Sequence, residues 1–116
     1  MQGRLLMAED RDEMMRLTRE AAAATQPDLG FCPHVFARTM HDALLGRDLT
    51  CFVVEAEPEK LAGFLLCRID GFFFAAGLQA RLLAVWVSPG YRGSRAAAIL
   101  LDAFFEWSRI VHARQV

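Results

Sequence analysis

Apolar and polar positions change period several times along the chain, and each change marks an element. Arg4 to Ala8 is a short apolar run that predicts a first strand. Glu9-Asp10-Arg11-Asp12 follows and supplies acidic residues suited to a helix N-terminus, where free amides and the helix dipole favour negative charge. Met14, Met15, Leu17, Thr18 and Ala21 to Ala24 then recur at helical spacing and predict a first helix ending before Gln26-Pro27. The span Gln26 to Pro33, with Pro27, Gly30 and Pro33, predicts a loop. A second helix is expected over His34 to Leu45, with Val35, Phe36, Met40, Ala43 and Leu44 inward and Gly46 closing it.

Thereafter the period drops to two. Thr50 to Ala56 and Leu61 to Ile69 predict strands, and the polar link Glu57-Pro58-Glu59-Lys60 predicts a hairpin between them. Leu78 to Val87 predicts a third long strand. Helical spacing returns from about Ser94 to Arg109, where Ile99, Leu100, Ala103, Phe104 and Trp107 form one apolar stripe for a sheet to cover. The order β-α-α-β-β-β-α has no repeat and no linker, so residues 1–116 are expected to form a single α/β domain.

The junction Ala84-Val85-Trp86-Val87-Ser88-Pro89-Gly90-Tyr91-Arg92-Gly93-Ser94-Arg95-Ala96-Ala97-Ala98 carries the most chemistry. An apolar strand meets a Pro-Gly break, an arginine-glycine turn and a small-residue helix start. Free backbone N–H groups and a helix dipole there suit an anionic ligand, most simply a pyrophosphate. Arg92 and Arg95 add guanidinium groups able to bind a phosphate in bidentate fashion. The same residues are open to a plainer reading, a crossover with solvated arginines and small residues that allow close helix packing.

V-x-V-x-P, then Y-R-G and an apolar helix with E-W near its end, resembles the acetyl-CoA-binding segment of the GNAT family of N-acetyltransferases. The resemblance implies a GNAT-like α/β fold, a mixed and largely antiparallel sheet with flanking helices. In that family the signature is roughly Q/R-x-x-G-x-G/A; Arg92 fills its first position and Ala97 its last, while Arg95 stands where the middle glycine is expected. The R-G-S-R-A-A form is similar to variants in phage-related members. The resemblance implies acetyl-CoA as co-substrate. The amides of Val85, Trp86 and Val87 would face the acyl carbonyl and pantetheine; the backbone of Gly93, Ser94, Arg95, Ala96, Ala97 and Ala98, with Arg92, would hold the pyrophosphate. The family fold continues beyond this helix with further strands. On that comparison His112-Ala113-Arg114-Gln115-Val116 is expected to open a fifth strand, with the C-terminal strands missing and the sheet completed by a partner chain or a second copy.

Acyl transfer to an amine needs a proton acceptor and fixed donors for the oxyanion. Leu82 to Ser88 contains no carboxylate, so the candidates by sequence are Asp70, near the end of the second long strand, and Glu55 on the strand before it; solvated strand-end placement is the plainer reading of each. Tyr91 is expected to pack in the turn, and Ser94 to cap the helix rather than act as a nucleophile, for want of histidine and acid partners. The resemblance implies transfer of an acetyl group to a primary amine on a small molecule or peptide. A non-catalytic domain of the same fold, structural or associated with a virion, is the alternative.

Composition narrows the remainder. With 54% hydrophobic residues among 116, the chain can bury a core. A formal net charge of −1 gives no global field for nucleic acid or an anionic membrane. No run approaches the apolar length of a membrane span, and the start lacks a signal-peptide pattern, so a cytoplasmic protein is expected. Cys32, Cys51 and Cys67 are an odd number, two of them in apolar strands, and reduced thiols are expected. Cys32, His34 and His41 match no common zinc spacing, and no metal is expected. The block Gly71-Phe72-Phe73-Phe74-Ala75-Ala76-Gly77 is open to core packing, a subunit contact or an apolar lip at the acceptor entrance.

Overall fold

The computed structural model describes residues 1–46, 48–71 and 77–113. Four strands pair antiparallel in chain order: β1 (Gln2–Leu5), β2 (Leu49–Glu57), β3 (Lys60–Gly71) and β4 (Leu78–Val87). Three helices flank them. Residues of α1 (Arg11–Thr25) and α2 (Pro33–Leu45) share a core with one face of the sheet, and α3 (Ala96–Ala113) covers the other.

Alternation along the strands divides the apolar residues between two compartments. Cys51, Val53 and Phe64 meet Met14, Leu17, Phe36 and Met40 on the first face. Val54, Leu65 and Cys67 meet Ala96 and Leu100 on the second. Side chains of successive strand residues point to opposite faces, so a strand with apolar residues at both parities can be covered on both sides.

The order of elements agrees with the sequence reading, and β4 has the predicted bounds. Four local expectations require correction. The first strand ends at Leu5 rather than Ala8, because Asp10 accepts a hydrogen bond from the Met7 amide at 2.8 Å and draws Ala8–Asp10 into a 3-10 turn. In α2, Phe36 and Met40 are buried but Val35 and Leu44 are 49% and 42% exposed, so the inward stripe is narrower than expected. α3 begins at Ala96 instead of Ser94. It also continues through His112 and Ala113, which therefore do not open a fifth strand: the stripe Leu100, Phe104, Trp107 extends by one more step to buried Val111, with no glycine or proline to stop it. Residues 114–116 of that expectation, and Phe72 to Ala76 of the aromatic block, lie outside the described residues. Gly46 closes α2 in the left-handed conformation, φ 68°, as predicted.

Arg4 fastens the N-terminal edge. Its guanidinium donates two hydrogen bonds to Asp10, at 2.8 and 2.9 Å, and one to Glu55 on β2 at 2.9 Å. Burial pushes the Asp10 carboxyl up, but the bonds from Arg4 and the Met7 amide outweigh it and hold the group below its ordinary range. Glu13 plays the same part beside β3. It accepts from Arg16 at 2.8 Å and from the Leu61 amide at 2.9 Å; chiefly the Arg16 bond lowers its pKa.

Candidate active site

β4 lies at one side of the sheet and pairs with β3 alone among the described residues. Its pairing shifts by one between Leu66↔Ala84 and Cys67↔Leu82, so Leu83 is an extra residue with no partner, a β-bulge. Beyond the bulge, Leu65 faces Val85, Phe64 faces Trp86 and Gly63 faces Val87. The Ser88 amide donates to the Ala62 carbonyl at 2.8 Å. In an antiparallel ladder the bonded pairs alternate, so Trp86 and Ala84 spend their main-chain groups on β3. The main-chain groups of Val85 and Val87 therefore point the other way, to the open side. Val85 is 43% exposed, and Leu82 and Leu83 are exposed with it. This assigns different roles within the predicted trio: Val85 and Val87 present outward amides, whereas the Trp86 amide is committed to the ladder.

Gly63 makes the close approach of the two strands possible. A Cβ placed there would lie 2.4 Å from the Trp86 carbonyl oxygen and 3.1 Å from the Val87 Cα.

After Val87 the chain turns through Pro89–Tyr91 in a single 3-10 turn. Gly93 then adopts φ 85°, a conformation that L side chains rarely take. Ser94 donates its hydroxyl to the Tyr91 carbonyl and accepts from the Ala96 amide at 3.3 Å, the capping role expected of it. The first i to i−4 bond of the helix runs from the Ile99 amide to the Arg95 carbonyl, at 3.0 Å. Ala97 and Ala98 precede it, so their N–H groups are among the orphan donors of the helix start. Both are exposed, as are Gly93, Ser94 and Arg95, and open space surrounds the Cα atoms of Gly90 and Gly93 on the side where a Cβ would stand. Ala96 alone of the three alanines is buried, packed with Leu65 and Leu100. Small size serves two ends: it seats one alanine in the core and leaves two amides uncovered.

The arginines differ in placement. Arg95 is exposed beside the open amides. Arg92 folds back, with its guanidinium carbon 4.7 Å from the centroid of the Trp86 ring and its Nε donating to the Val87 carbonyl at 3.2 Å. At the edge of the same ring the Trp86 indole N–H donates to Glu20 of α1 at 2.9 Å. Tyr91 packs against the α3 core as expected.

The sequence-derived carboxylates stand apart from this end of β4. Asp70 pairs with Arg68 and Arg81, both at 3.1 Å, in the register Asp70↔Gln79, six residues and roughly 20 Å along the strand from Val85. Glu55 sits two strands away in the grip of Arg4. Glu20, brought to Trp86, is the carboxylate the sequence reading missed; its only local signal is a place on the polar side of an amphipathic helix. His34 and His41 are exposed and two turns apart on α2, about 10 Å of helical rise, too far to share an ion with Cys32. No group of three metal-ligating side chains occurs among the described residues. Cys51 and Cys67 are buried free thiols, each pushed up to about 12 by burial. Cys32 is exposed.

A cavity of about 400 Å³ opens between α1, α2 and the sheet. Phe31, Phe36, Met14, Met40, Phe64 and Leu66 are among its lining residues, as is Ala84 of β4. Nothing in the sequence announces it, since its walls come from six separate segments.

Comparison with known proteins bears on this geometry. The model of the acetyltransferase (GNAT) family matches residues 11–115. Among solved structures, a mutant BH1408 protein from Bacillus halodurans is 19% identical with a TM-score of 0.76, over 100% of this chain and 78% of its own. A ribosomal-protein-alanine N-acetyltransferase from Brucella melitensis is 18% identical with a TM-score of 0.77, over 94% and 72%. An aminoglycoside acetyltransferase from an uncultured soil metagenomic sample, solved with sisomicin, is 16% identical with a TM-score of 0.72, over 96% and 71%. No curated protein sequence matches the chain.

Proposed function

The chain belongs to the acetyltransferase (GNAT) family, and from that premise we propose that it transfers an acetyl group from acetyl-CoA to a primary amine. The outward main chain of Val85 and Val87, next to exposed amides at the start of α3, carries this reading. Among the described residues the Val85 and Val87 main chain pairs with no strand beyond β3.

The residues suit the co-substrate. Ala97 and Ala98 offer uncovered N–H groups at a helix start, where the dipole favours phosphate, and Arg95 adds charge beside them. The amides of Val85 and Val87 lie where a thioester arm along β4 can accept hydrogen bonds. As the amine nitrogen bonds to the acyl carbon, negative charge gathers on the carbonyl oxygen, and a fixed amide stabilises it without reorganising. The carbon–sulfur bond then breaks and the thiolate leaves. Glu20 takes the proton lost by the amine, held by the Trp86 indole at the β4 end. Arg95 in the usual glycine position is compatible with this scheme, because its side chain is exposed and its carbonyl already accepts the first helical bond.

Calorimetric titration with acetyl-CoA tests the reading. Saturable micromolar binding, weakened by Ala97→Asp at the exposed helix start, is expected. A folded protein that ignores millimolar acetyl-CoA would overturn it.

A further inference from the structure

The cavity between α1, α2 and the sheet differs in character from the acidic one near the β2–β3 hairpin. Its wall holds no charged side chain: apart from the cysteines Cys32 and Cys51 and three threonines, every lining residue is alanine, glycine, leucine, valine, methionine or phenylalanine. Even one threonine is spent elsewhere, since the Thr25 hydroxyl donates to the Ala21 carbonyl at 2.7 Å. The cavity's size falls within the roughly 300–1,000 Å³ typical of small-ligand sites. Two of its lining residues, Cys32 and Val35 at the entry to α2, are exposed.

Position gives the cavity a role. Ala84, in its lining, immediately precedes Val85, and Ala84 lies next to the Leu83 bulge that interrupts the β3–β4 ladder. The cavity thus ends beside the stretch of β4 assigned above to the thioester. Thr18 and Ala21 of α1, which flank Glu20 in sequence, also line it. A molecule seated there would direct one end at β4 and leave its body among methionine, phenylalanine and alanine.

We propose that this cavity holds the body of the acceptor, and that the acceptor is a primary amine with a single charged end and an aromatic or aliphatic tail. The inference rests on the acetyl-transfer reading and specifies its substrate class. Charge selects against the alternatives. A polyamine or amino sugar would have to leave its additional ammonium groups in a wall with no carboxylate. Beside the lining residue Phe31 stands a further positive charge, the Arg19 guanidinium, stacked 4.7 Å from the centroid of that ring. The acidic basin around Glu9, Asp12 and Glu59, which could attract such cations, is a separate cavity near the β2–β3 hairpin.

Phenethylamine, ethylamine and spermidine discriminate among these classes. Two of the chain's five methionines line the cavity, so methyl NMR of methionine-labelled protein reports occupancy without any need for turnover. Phenethylamine is expected to shift the Met14 and Met40 methyl signals and leave Met1 unmoved. With acetyl-CoA present, its kcat/KM is expected to exceed that of ethylamine by at least about tenfold, the scale on which an apolar pocket discriminates. Thr39→Phe, which fills the cavity, should raise KM for phenethylamine and spare acetyl-CoA affinity; Ala22→Leu is the second variant should that one fail to fold. If acetyl-CoA binds but spermidine or ethylamine is acetylated as well as phenethylamine, the tail assignment is wrong and the acetyl-transfer reading stands. If phenethylamine moves both methionines while acetyl-CoA does not bind, the cavity takes apolar amines and the transfer reading falls. Unmoved Met14 and Met40 signals at saturating phenethylamine overturn the inference outright.

Discussion

Replacing Gly63 by alanine tests whether the close approach of β3 and β4 supports the candidate site. The added Cβ would stand 2.4 Å from the Trp86 carbonyl oxygen, where ordinary contacts begin at 3.4 Å, so the strands must part by about 1 Å. The obstacle is backbone, which cannot swing aside like the end of a side chain. A separation of that size would stretch the bond from the Ser88 amide to the Ala62 carbonyl from 2.8 Å to well past hydrogen-bond range, and Phe64↔Trp86 is the neighbouring pair on the other side of Gly63. Two or three ladder bonds at about 1 kcal/mol each, with the packing of Val87 against the α3 core, give a loss of about 2–4 kcal/mol. For a domain of this size that is roughly 8–16 °C in Tm, measurable by circular dichroism or calorimetry. Because the displaced strand carries Val85 and Val87, acetyl-CoA affinity should fall along with stability. An alanine variant with unchanged Tm and unchanged affinity would refute the proposed geometry of β4.

Four other perturbations have defined outcomes. Arg92→Ala loses a stacking contact on Trp86 and one exposed hydrogen bond, about 1 kcal/mol together; a small drop in Tm with weaker acetyl-CoA binding is expected, and a large drop would make Arg92 primarily structural. Glu20→Gln keeps an oxygen for the Trp86 indole but cannot take a proton, so kcat should fall by about 10²–10⁴ with Tm nearly constant. Acid should destabilise the fold through Asp10 and Glu13: both titrate lower when folded, so the unfolded chain takes up protons first as pH drops through the ordinary values of 3.8 and 4.5. Urea midpoints should therefore decline below about pH 4.5 and Asp10→Asn should flatten the decline; a midpoint constant down to pH 3 would contradict the Arg4 and Arg16 pairings. A thiol reagent at neutral pH should label Cys32 quickly and Cys51 and Cys67 only on unfolding, since burial pushes the latter two up to about 12.

Element order was legible in the sequence because periodicity and breakers agree there. β4 is bounded by Gly77 and the Ser88-Pro89-Gly90 break, and both of its ends appear where they were read. The end of β1 was not legible: it depends on whether the Asp10 carboxylate captures the Met7 amide, a contact that competes with a strand of equal apolar character. The helix start was read two residues early, because Ser94 caps from within the turn. The family resemblance singles out the main chain of Val85, Trp86 and Val87 together, but that Val85 and Val87 face outward and Trp86 does not required the register. Leu82-Leu83, two bulky apolar neighbours inside an alternating strand, was the one local hint of the bulge. Long-range pairs such as Glu20 with Trp86, 66 residues apart, leave no trace in spacing.

Trp86 sits between an arginine on one side and a carboxylate on its indole nitrogen, at the end of the strand where a thioester is proposed to lie. Both neighbours are known influences on excited-state tryptophan, and the second tryptophan, Trp107, belongs to the opposite compartment of the sheet. The protein thereby carries its own optical reporter. Arrival of a nucleotide that draws Arg92 away would change the brightness and colour of one chromophore while the other serves as internal reference, letting occupancy be followed in real time without any label.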